Sequence, residues 1–441
     1  MKVKDILKFF QISSDDETQI KDISDDSSFS STSWIYLNVS NSKNSEKYIK
    51  EAKANQAYLV LSSNKNSSSI YIEDLEEKLN AFIYYFYSFK KKFKLIGITG
   101  TNGKSSLSNF IKQCLKDKFK VRNITTVKEK DSYCNELTTP KNFDLFRIFK
   151  SANNLNLDYL IMEVSSIGID KKRVNDIEFD YIFLTNLYVD HLDYHKTVKN
   201  YHKVKIDFIK GQKNAYKFIS TPFIKHFVKE KNLVEVKYQI SNNELIVEDN
   251  ILKSNLVYKT NLINLSYCYF FLKIIDVLDY SLLEKIHPFK GRLDVVSKKP
   301  LIIIDYAHSA SSFLNVVKET KEIFSKKMIL IFGSGGDRDK QKRKEYGRVA
   351  NKYGDKIILT NDNPRSEDPM NIILDIASEI DDYEVILDRK KAIKRGIELL
   401  NDDYLLLILG KGNEDFVIYK DYKEYLNDYQ EVKKCLNTRS F

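Results

Sequence analysis

The stretch that most constrains the fold is a glycine-rich loop that ends in Lys104 and Ser105. Residues 97–105 read G-x-x-x-x-x-G-K-S, one residue longer than the commonest phosphate-binding loop. An apolar run, residues 95–98, precedes the loop. Apolar residues recur after it at helical spacing: Leu107, Phe110, Ile111, Cys114 and Leu115. A strand, a tight loop and a helix in this order cradle phosphate with backbone N–H groups. The sequence therefore predicts an α/β domain around a nucleotide site.

The residues of this loop have distinct expected roles. Lys104 is expected to reach the β- and γ-phosphates of a nucleoside triphosphate, and Ser105 to hold Mg²⁺. The predicted nucleotide contacts in the loop are Gly100, Thr101, Asn102, Gly103, Lys104, Ser105 and Ser106. A phosphate loop does not by itself separate kinases, other nucleotide hydrolases and ligases.

Charge and composition argue against several classes of protein. Lys and Arg number 71 against 61 Asp and Glu, a net charge of +10, but the lysines are spread among acidic residues. No nucleic-acid partner is therefore expected. No apolar run reaches the roughly 18 residues of a membrane span, and the charged N-terminus is unlike a secretory signal. The protein is expected to be cytoplasmic. The four cysteines are scattered and lack zinc-binding spacing.

The order of strand and helix patterns predicts an α/β fold. Three domains are expected, because the chain has 441 residues and a domain has about 150. Residues 1–90 are expected to form a small α/β domain and residues 91–293 a central P-loop ATPase domain with a mainly parallel sheet. Residues 294–441 are expected to form a Rossmann-like α/β domain. Residues 212–260 are less regular and predict extra antiparallel strands. The strands predicted in the third domain are residues 301–304, 328–332, 356–359, 384–387 and 405–409.

Polar residues follow two strands predicted in the central domain. Glu163 ends the run 159–162, where a carboxylate suits Mg²⁺, although a surface carboxylate is an equally good interpretation. The stretch 190–195 holds two aspartates and two histidines, which indicates metal or phosphate chemistry. Zinc is disfavoured because nothing completes a zinc ligand set.

Taken in order, these stretches resemble the Mur ligase family. The matching segments are GITGTNGKS, MEVSS, TNLYVDHLDYH, GRLD (residues 291–294) and DYAH (residues 305–308). Four more are most similar to the UDP-N-acetylmuramoyl-tripeptide synthetase branch: TTP (138–140), GGDRDKQKR (335–343), DNPR (362–365) and GKGNED (410–415). The resemblance covers about residues 93–441.

The resemblance implies an ATP-dependent ligase that uses two Mg²⁺ ions. It makes Lys104, Glu163, His191 and Lys205 the catalytic group, with Lys205 carbamylated and Ser105, Glu163, His191 and Lys205 as metal ligands. Further ATP contacts are expected at Asn186, Asn264, Arg292, Asp305 and His308, with Asn261 a weaker candidate near the adenine.

The resemblance also places the two other substrates. The UDP-muramoyl peptide is expected at Ser27, Thr138, Thr139, Ser165 and Arg173. The amino acid is expected at Arg338, Asp362, Asn363, Pro364, Arg365, Gly410 and Glu414. The DNPR form is typical of enzymes that add meso-diaminopimelate, because Arg365 offers a planar two-donor fork to the second carboxylate. The implied reaction proceeds through an acyl phosphate, on a chain expected to be monomeric.

Other functions stay open at this point. Within the superfamily they are a lysine-adding Mur ligase and a folylpolyglutamate synthetase-like ligase. Outside it they are a P-loop kinase and an inactive nucleotide-binding protein. The first domain departs from the family pattern, with Asp26-Ser27-Ser28 in place of Asp-Ser-Arg and no following Asp-Gly. Ile167, Lys171 and Asn413 also replace residues common in the family.

Overall fold

The structure is a computed structural model that describes residues 1–28, 31–39, 44–65, 68–126, 131–241, 244–338 and 340–438. Asp339, within the GGDRDKQKR stretch, lies outside the described residues. Within the described ranges, none of the helices reaches the length and hydropathy that a bilayer crossing requires.

The N-terminal part forms a small α/β layer around a parallel sheet. Its elements are α1 (Val3–Phe9), β1 (Asp22–Ser24), β2 (Trp34–Asn38), α2 (Ser45–Ala54), β3 (Leu59–Ser62), β4 (Ile70–Tyr71) and α3 (Leu75–Phe86). The strands lie in the order β1-β2-β3-β4, and every pairing is parallel. Apolar side chains of α1 and α3 pack with β1–β3 and with Phe143 and Phe146. The α/β character predicted for this part is confirmed, and its status as a separate domain stays a prediction.

The middle of the chain alternates strands and helices around the phosphate loop. Its elements are β5 (Lys94–Thr99), α4 (Lys104–Leu115), β6 (Val121–Thr125), β7 (Ser132–Cys134), α5 (Asn142–Asn154), β8 (Tyr159–Glu163), α6 (Ser166–Asp170), β9 (Tyr181–Leu184), α7 (Leu192–His195), α8 (Val198–Gly211), β10 (Tyr216–Ser220), a 3₁₀ helix (Thr221–His226), β11 (Leu233–Val236), β12 (Gln239–Ser241), β13 (Glu244–Val247), β14 (Asn250–Leu252), α9 (Lys259–Ile274) and α10 (Tyr280–Glu284).

Two compact units make up the chain, and neither is one continuous stretch. The first comprises Met1–Gly97, Phe119–Tyr181 and Asp207–Ala215, and the second comprises Ile98–Lys118, Ile182–Ile206 and Tyr216–Phe441. The phosphate loop therefore belongs to the second unit. Domain boundaries near residues 90 and 293 stay a prediction.

Within each unit the central strands pair in parallel. In the first unit β8, β6 and β7 are neighbours in that order. In the second unit β10 pairs with β11, and the N–H of Thr185 donates to the carbonyl of Thr99 at 2.9 Å. The mainly parallel central domain is confirmed. Strands β12, β13 and β14 form a separate antiparallel sheet, as the irregular pattern of residues 212–260 predicts.

The third part is a six-stranded sheet with helices on both faces. Its elements are β15 (Asp294–Lys298), β16 (Leu301–Asp305), α11 (Ala310–Phe324), β17 (Lys327–Phe332), α12 (Gln341–Tyr353), β18 (Lys356–Leu359), α13 (Pro369–Ala377), β19 (Glu384–Val385), α14 (Arg389–Glu398), β20 (Tyr404–Leu409), β21 (Phe416–Ile418), β22 (Lys423–Tyr425) and α15 (Asp428–Thr438). The order is β15-β16-β20-β17-β18-β19, and every pairing is parallel except that of β15 with β16.

The strands of the third sheet end together, which fixes where their loops lie. Asp305 is level with Leu409, and Phe332 is level with Leu359. The loops after β16, β20, β17 and β18 therefore leave from one edge. Side chains of β20 alternate between two hydrophobic cores, with Leu407 in one and Leu406 in the other. The Rossmann-like prediction is confirmed, although β19 covers only half of residues 384–387.

A fully buried ion pair holds this edge together. Nε and Nη2 of Arg389 donate to the two carboxylate oxygens of Asp428 at 2.8 and 2.7 Å. The same guanidinium donates to the carbonyl of Leu409 at 2.9 Å and to that of Asn361 at 3.2 Å. One side chain thus ties the ends of β18 and β20 to helix α15.

Substituting Asp428 with Ala is expected to lower the free energy of unfolding by about 3–5 kcal/mol, because it leaves the Arg389 charge buried without its partner. Urea denaturation followed by circular dichroism measures the change. Glu424→Ala is the matched control, since it removes an exposed pair with Lys390 and is expected to cost at most about 1 kcal/mol. Equal losses for the two variants would contradict the role given to the buried pair.

Candidate functional site

The phosphate loop needs glycine at two positions for reasons of geometry. Gly100 has a φ of +136°, and a Cβ there would overlap the hydroxyl oxygen of Thr185. Gly103 has a φ of +83° and immediately precedes helix α4. These glycines let the backbone turn tightly into the start of the helix, where N–H groups face a bound anion.

A second loop, after β9, clamps the phosphate loop. Asn186 accepts a hydrogen bond from the N–H of Asn102 at 3.0 Å and donates to its carbonyl at 3.1 Å. The hydroxyl of Thr185 donates to the same carbonyl at 2.7 Å. The Thr101 hydroxyl receives a hydrogen bond from the N–H of Tyr188 at 3.0 Å. The Asn186 side chain thus holds the loop by its backbone, next to the expected phosphates.

Two lysine side chains meet at one carbonyl oxygen. Nζ of Lys104 lies 3.1 Å from the carbonyl oxygen of Gly100 and 2.9 Å from that of Thr101. Nζ of Lys205, on helix α8, donates to the Gly100 carbonyl at 2.9 Å and is fully buried. Burial first, and then the charge of Lys104, lower the pKa of Lys205 well below its usual value. The arrangement therefore favours an uncharged Lys205 amine.

The start of helix α9 lies beside the phosphate loop. Nδ2 of Asn264 donates to the carbonyl of Gly103 at 3.4 Å. Asn261, one turn earlier, is almost fully buried, and neither its Oδ1 nor its Nδ2 has a partner among the described residues. A buried amide with an unused donor and acceptor fits a planar ligand that offers both, such as a nucleobase.

Two of the predicted metal residues, Glu163 and His191, belong to different compact units. Glu163 is buried at the end of β8, in the first unit. His191 is nearly half exposed in the second unit, with a φ of +51° and its Nε2 3.8 Å from Asp190. Over the described ranges, no group of three or more His, Cys, Asp or Glu side chains is placed to hold a metal ion.

The first unit brings together most of the residues expected to bind the muramoyl peptide. The buried hydroxyl of Thr139 lies 3.1 Å from that of Ser165, and Arg173 donates to the Thr139 carbonyl at 2.9 Å. Ser165 also caps helix α6. Thr138 is partly exposed beside this group. Ser27 instead donates to a carboxylate oxygen of Glu51 at 2.7 Å.

At the edge of the third sheet, Asp305 organises the connection into the domain. Its two carboxylate oxygens accept hydrogen bonds from the N–H groups of Leu293 and Ala307, both at 2.7 Å. Burial raises the pKa of Asp305, and Arg292 opposes that rise. His308 is exposed, with Nδ1 3.1 Å from the carbonyl oxygen of Tyr306.

Three side chains, from three loops of this edge, meet at the Glu414 carboxylate. Its carboxylate accepts hydrogen bonds from Asn363 at 2.9 Å, Lys411 at 3.0 Å and the Tyr306 hydroxyl at 3.1 Å. Burial opposes ionisation, but Lys411 and these hydrogen bonds lower the pKa of Glu414. Glu414 is therefore a carboxylate whose position is fixed from three sides.

The DNPR and GKGN loops constrain each other's backbones. Asp362 is buried, and a Cβ at Gly410 would overlap one of its carboxylate oxygens. Pro364 is also buried, and its carbonyl oxygen lies where a Cβ of Gly336 would be. Only glycine fits at Gly410, which also has a φ of +110°.

Arg365 lies in the same loop, and the described residues bind only one nitrogen of its guanidinium. Nη1 donates to the carbonyl of Gly336 at 2.7 Å and makes a longer contact with that of Asn363 at 3.4 Å. Among the described residues, no acceptor is bound to its Nε or Nη2. Arg338, predicted for the same substrate, is exposed.

Sequence reasoning missed several residues that position this site. Arg343 is fully buried and donates to both carboxylate oxygens of Glu367 at 3.0 and 2.8 Å, which holds the pKa of Glu367 at about 2. Glu367 also accepts from the N–H of Asp337 at 2.6 Å, so the loops after β17 and β18 are joined. Tyr306, Lys411 and Arg343 lie inside DYAH, GKGNED and GGDRDKQKR, and membership of these motifs is the signal that the sequence offers for them. Nothing in the local pattern distinguishes Arg343 from its basic neighbours.

Together these loops and sheets define a nucleotide-binding α/β enzyme of the phosphate-loop type. Residues 98–275 match the family described as the Mur ligase middle domain, and residues 291–412 match the Mur ligase, glutamate ligase domain. A Helicobacter pylori relative, the UDP-N-acetylmuramoyl-L-alanyl-D-glutamate–2,6-diaminopimelate ligase, is 33% identical over 426 residues, 86% of this chain and 90% of the relative. The chain belongs to the Mur ligase family.

Two further comparisons agree with this assignment. A relative of the same name from Clostridioides difficile is 33% identical over 435 residues, 89% of each chain. A solved structure of a ligase of that name has a TM-score of 0.67 at 23% identity and covers 99% of both chains. At that identity the likeness supports the fold.

Gly100→Ala is expected to reduce affinity for a non-hydrolysable ATP analogue at least tenfold, because the added methyl group overlaps Thr185 and the positive φ is strained. Titration calorimetry measures the affinity. Gly211→Ala is the control, since nothing lies within 4 Å of the position that its added methyl group would take. Unchanged binding by Gly100→Ala would show that the loop does not hold the nucleotide.

Proposed function

We propose that this protein is an ATP-dependent ligase that joins meso-2,6-diaminopimelate to UDP-N-acetylmuramoyl-L-alanyl-D-glutamate in the synthesis of peptidoglycan precursors. The relatives described above carry the name of this activity and match about nine tenths of their own length. The observation that carries the proposal is that the Arg365 guanidinium and the Glu414 carboxylate both contact Asn363, at one edge of the third sheet.

The free side of Arg365 suits a carboxylate. Nε and Nη2 form a planar fork, which binds a carboxylate through two parallel hydrogen bonds. Diaminopimelate differs from lysine by a second carboxylate, so it supplies the group that this fork needs. Glu414, held by three donors, retains acceptor capacity for an ammonium of the same molecule.

ATP fits the second unit on the evidence of its unused polar groups. Gly100 and Gly103 have the positive φ values that let the loop turn into helix α4, and Asn261 offers the adenine an amide that has no partner among the described residues. Nε of Arg292 is buried and has no partner among the described residues. This is consistent with Arg292 binding an anionic ligand.

We extend the proposal to Mg²⁺ and to a carbamate on Lys205. The neutral amine of Lys205 can add to carbon dioxide, forming an N–C bond and releasing one proton. The product is an anion at a buried position beside Lys104. A carbamate, the Ser105 hydroxyl and the Glu163 carboxylate are oxygen donors, which Mg²⁺ prefers, with His191 as a nitrogen donor. Bound Mg²⁺ would neutralise charge on the phosphates.

The chemistry has two steps in this proposal. The terminal carboxylate of the muramoyl peptide attacks the γ-phosphorus of ATP, which gives an acyl phosphate and releases ADP. The diaminopimelate amine then attacks the acyl carbon, loses a proton and expels phosphate. Lys104 stabilises the charge that moves between phosphates, and Thr139, Ser165 and Arg173 hold the muramoyl peptide.

The test of the proposed function is ADP release in the presence of the UDP-muramoyl dipeptide and one amino acid at a time. Strong stimulation by diaminopimelate and little by lysine or glutamate is expected, because only diaminopimelate places a second carboxylate at Arg365. A preference for lysine would overturn the role of Arg365. No stimulation by any of the three would overturn the function.

Arg365→Lys is expected to raise the KM for diaminopimelate about tenfold or more, with a smaller change in kcat, because a lysine replaces the fork by a single point of contact. Steady-state kinetics separate the two constants. Arg348→Lys is the control, since Arg348 is exposed on α12 and pairs with Glu379. If Arg365→Lys keeps the wild-type KM for diaminopimelate, as Arg348→Lys is expected to, Arg365 does not hold the substrate.

Lys205→Ala is expected to abolish ligation and to regain part of it when short carboxylates such as formate or acetate are added, because they can replace the lost carbamate. Lys217→Met is the control, since Lys217 is also a fully buried lysine but pairs with Glu230. Added carboxylates should give Lys217→Met no rescue. Full activity of unsupplemented Lys205→Ala would exclude the carbamate role.

A further inference from the structure

Tyr306 lies between side chains that are proposed to serve different substrates. Its ring faces the guanidinium of Arg292, whose Cζ is 4.0 Å from the ring centroid. Its hydroxyl donates to a carboxylate oxygen of Glu414 at 3.1 Å. Arg292 is proposed to bind ATP and Glu414 to bind the amino acid, so Tyr306 contacts one residue of each proposed site.

The backbone around Tyr306 leaves little room for it to move alone. A Cβ at Gly412, where φ is +54°, would press against the Cβ of Tyr306 at 2.8 Å. A Cβ at Gly291 would overlap the backbone of Gly412. The segments that carry Arg292, Tyr306 and Glu414 therefore interlock through backbone contacts as well as through side chains.

Charges on both sides fix the chemical state of Tyr306. Burial first, and then the Glu414 carboxylate, raise the pKa of the Tyr306 phenol, while Arg292 opposes the rise. The phenol therefore keeps its proton at neutral pH and acts as a donor to Glu414. The electron-rich face of the same ring attracts the guanidinium.

We propose that Tyr306 is a positioning residue that couples the nucleotide site to the amino-acid site. A phosphate bound to Arg292 fixes the guanidinium against the ring, and the fixed ring holds the Glu414 carboxylate toward the incoming ammonium. ATP thereby raises the affinity for the amino acid. This inference rests on the proposed function, and it adds a residue and a coupling that the motif assignments do not contain.

Tyr306→Phe removes the hydroxyl and keeps the ring. It is expected to raise the KM for the amino acid about tenfold, as loss of one hydrogen bond to a charged group does, while the affinity for a non-hydrolysable ATP analogue in the absence of the amino acid stays unchanged. Tyr306→Leu removes the ring face as well, and is expected to raise the KM for both substrates. A Tyr306→Phe enzyme with wild-type constants would overturn the proposal.

Coupling is measured directly by titrating the amino acid with and without a non-hydrolysable ATP analogue, and then titrating the analogue with and without the amino acid. In the wild type both directions are expected to give the same factor, because binding linkage is reciprocal. In Tyr306→Leu that factor is expected to fall to about one. Wild-type coupling retained in this variant counts against the proposal.

A double-substitution cycle separates positioning from a merely structural role. Once Glu414→Gln is present, adding Tyr306→Phe is expected to change the amino-acid KM little further, because both act through one hydrogen bond. Additive effects would mean that Tyr306 acts elsewhere. Tyr404→Phe is the matched control, since the Tyr404 ring also faces a cationic side chain, that of Lys356, but Tyr404 begins β20, at the end away from Glu414.

The wild-type enzyme distinguishes failure of this inference from failure of the proposed function. The variants are compared with whichever of diaminopimelate, lysine or glutamate stimulates ADP release most. An active wild type with an unaffected Tyr306→Phe variant overturns the coupling alone. A wild type that prefers lysine overturns the proposed substrate and leaves the Tyr306 comparison to be judged with lysine.

Discussion

The structure of the third domain depends on four parallel strands that end at the same level. Because β16, β20, β17 and β18 are neighbours in register, the segments that follow them share one edge of the sheet. The buried Arg389–Asp428 pair holds two of those ends, and the Arg343–Glu367 pair joins two of the loops. Glu414 and Arg365 owe their common location to this constraint, although they are 49 positions apart in the chain.

The proposed nucleotide site is organised by close packing of side chains around the phosphate loop. Gly100 cannot carry a side chain, the Asn186 amide holds the loop backbone, and two lysines compete for the carbonyl of Gly100. Burial and the charge of Lys104 lower the pKa of Lys205, so the Lys205 amine loses its proton more readily than an exposed lysine does.

Most buried polar groups in these sites are bonded to backbone or to one another, and the exceptions are informative. Asn261 and Nε of Arg292 lack partners among the described residues, although burial makes an unbonded polar group costly. Asn261 lies at the start of α9, beside the phosphate loop, and Arg292 lies in the GRLD segment, where the family resemblance implies a contact with ATP. Groups such as Asp428 and Arg389 serve the fold by contrast, because they are bonded to one another and, for Arg389, to two backbone carbonyls.

The sequence by itself determined the class of fold, the phosphate loop and the family, because these follow from local periodicity and from short motifs in a fixed order. The α4 helix, the parallel third sheet and the strand before Glu163 all appear where the pattern places them. Only the tertiary structure decided that Lys205 is buried against Gly100, that Arg389 meets Asp428, and that Tyr306 bridges Arg292 and Glu414. Burial and pairing join residues distant in the chain, and neither periodicity nor motif spacing contains that information.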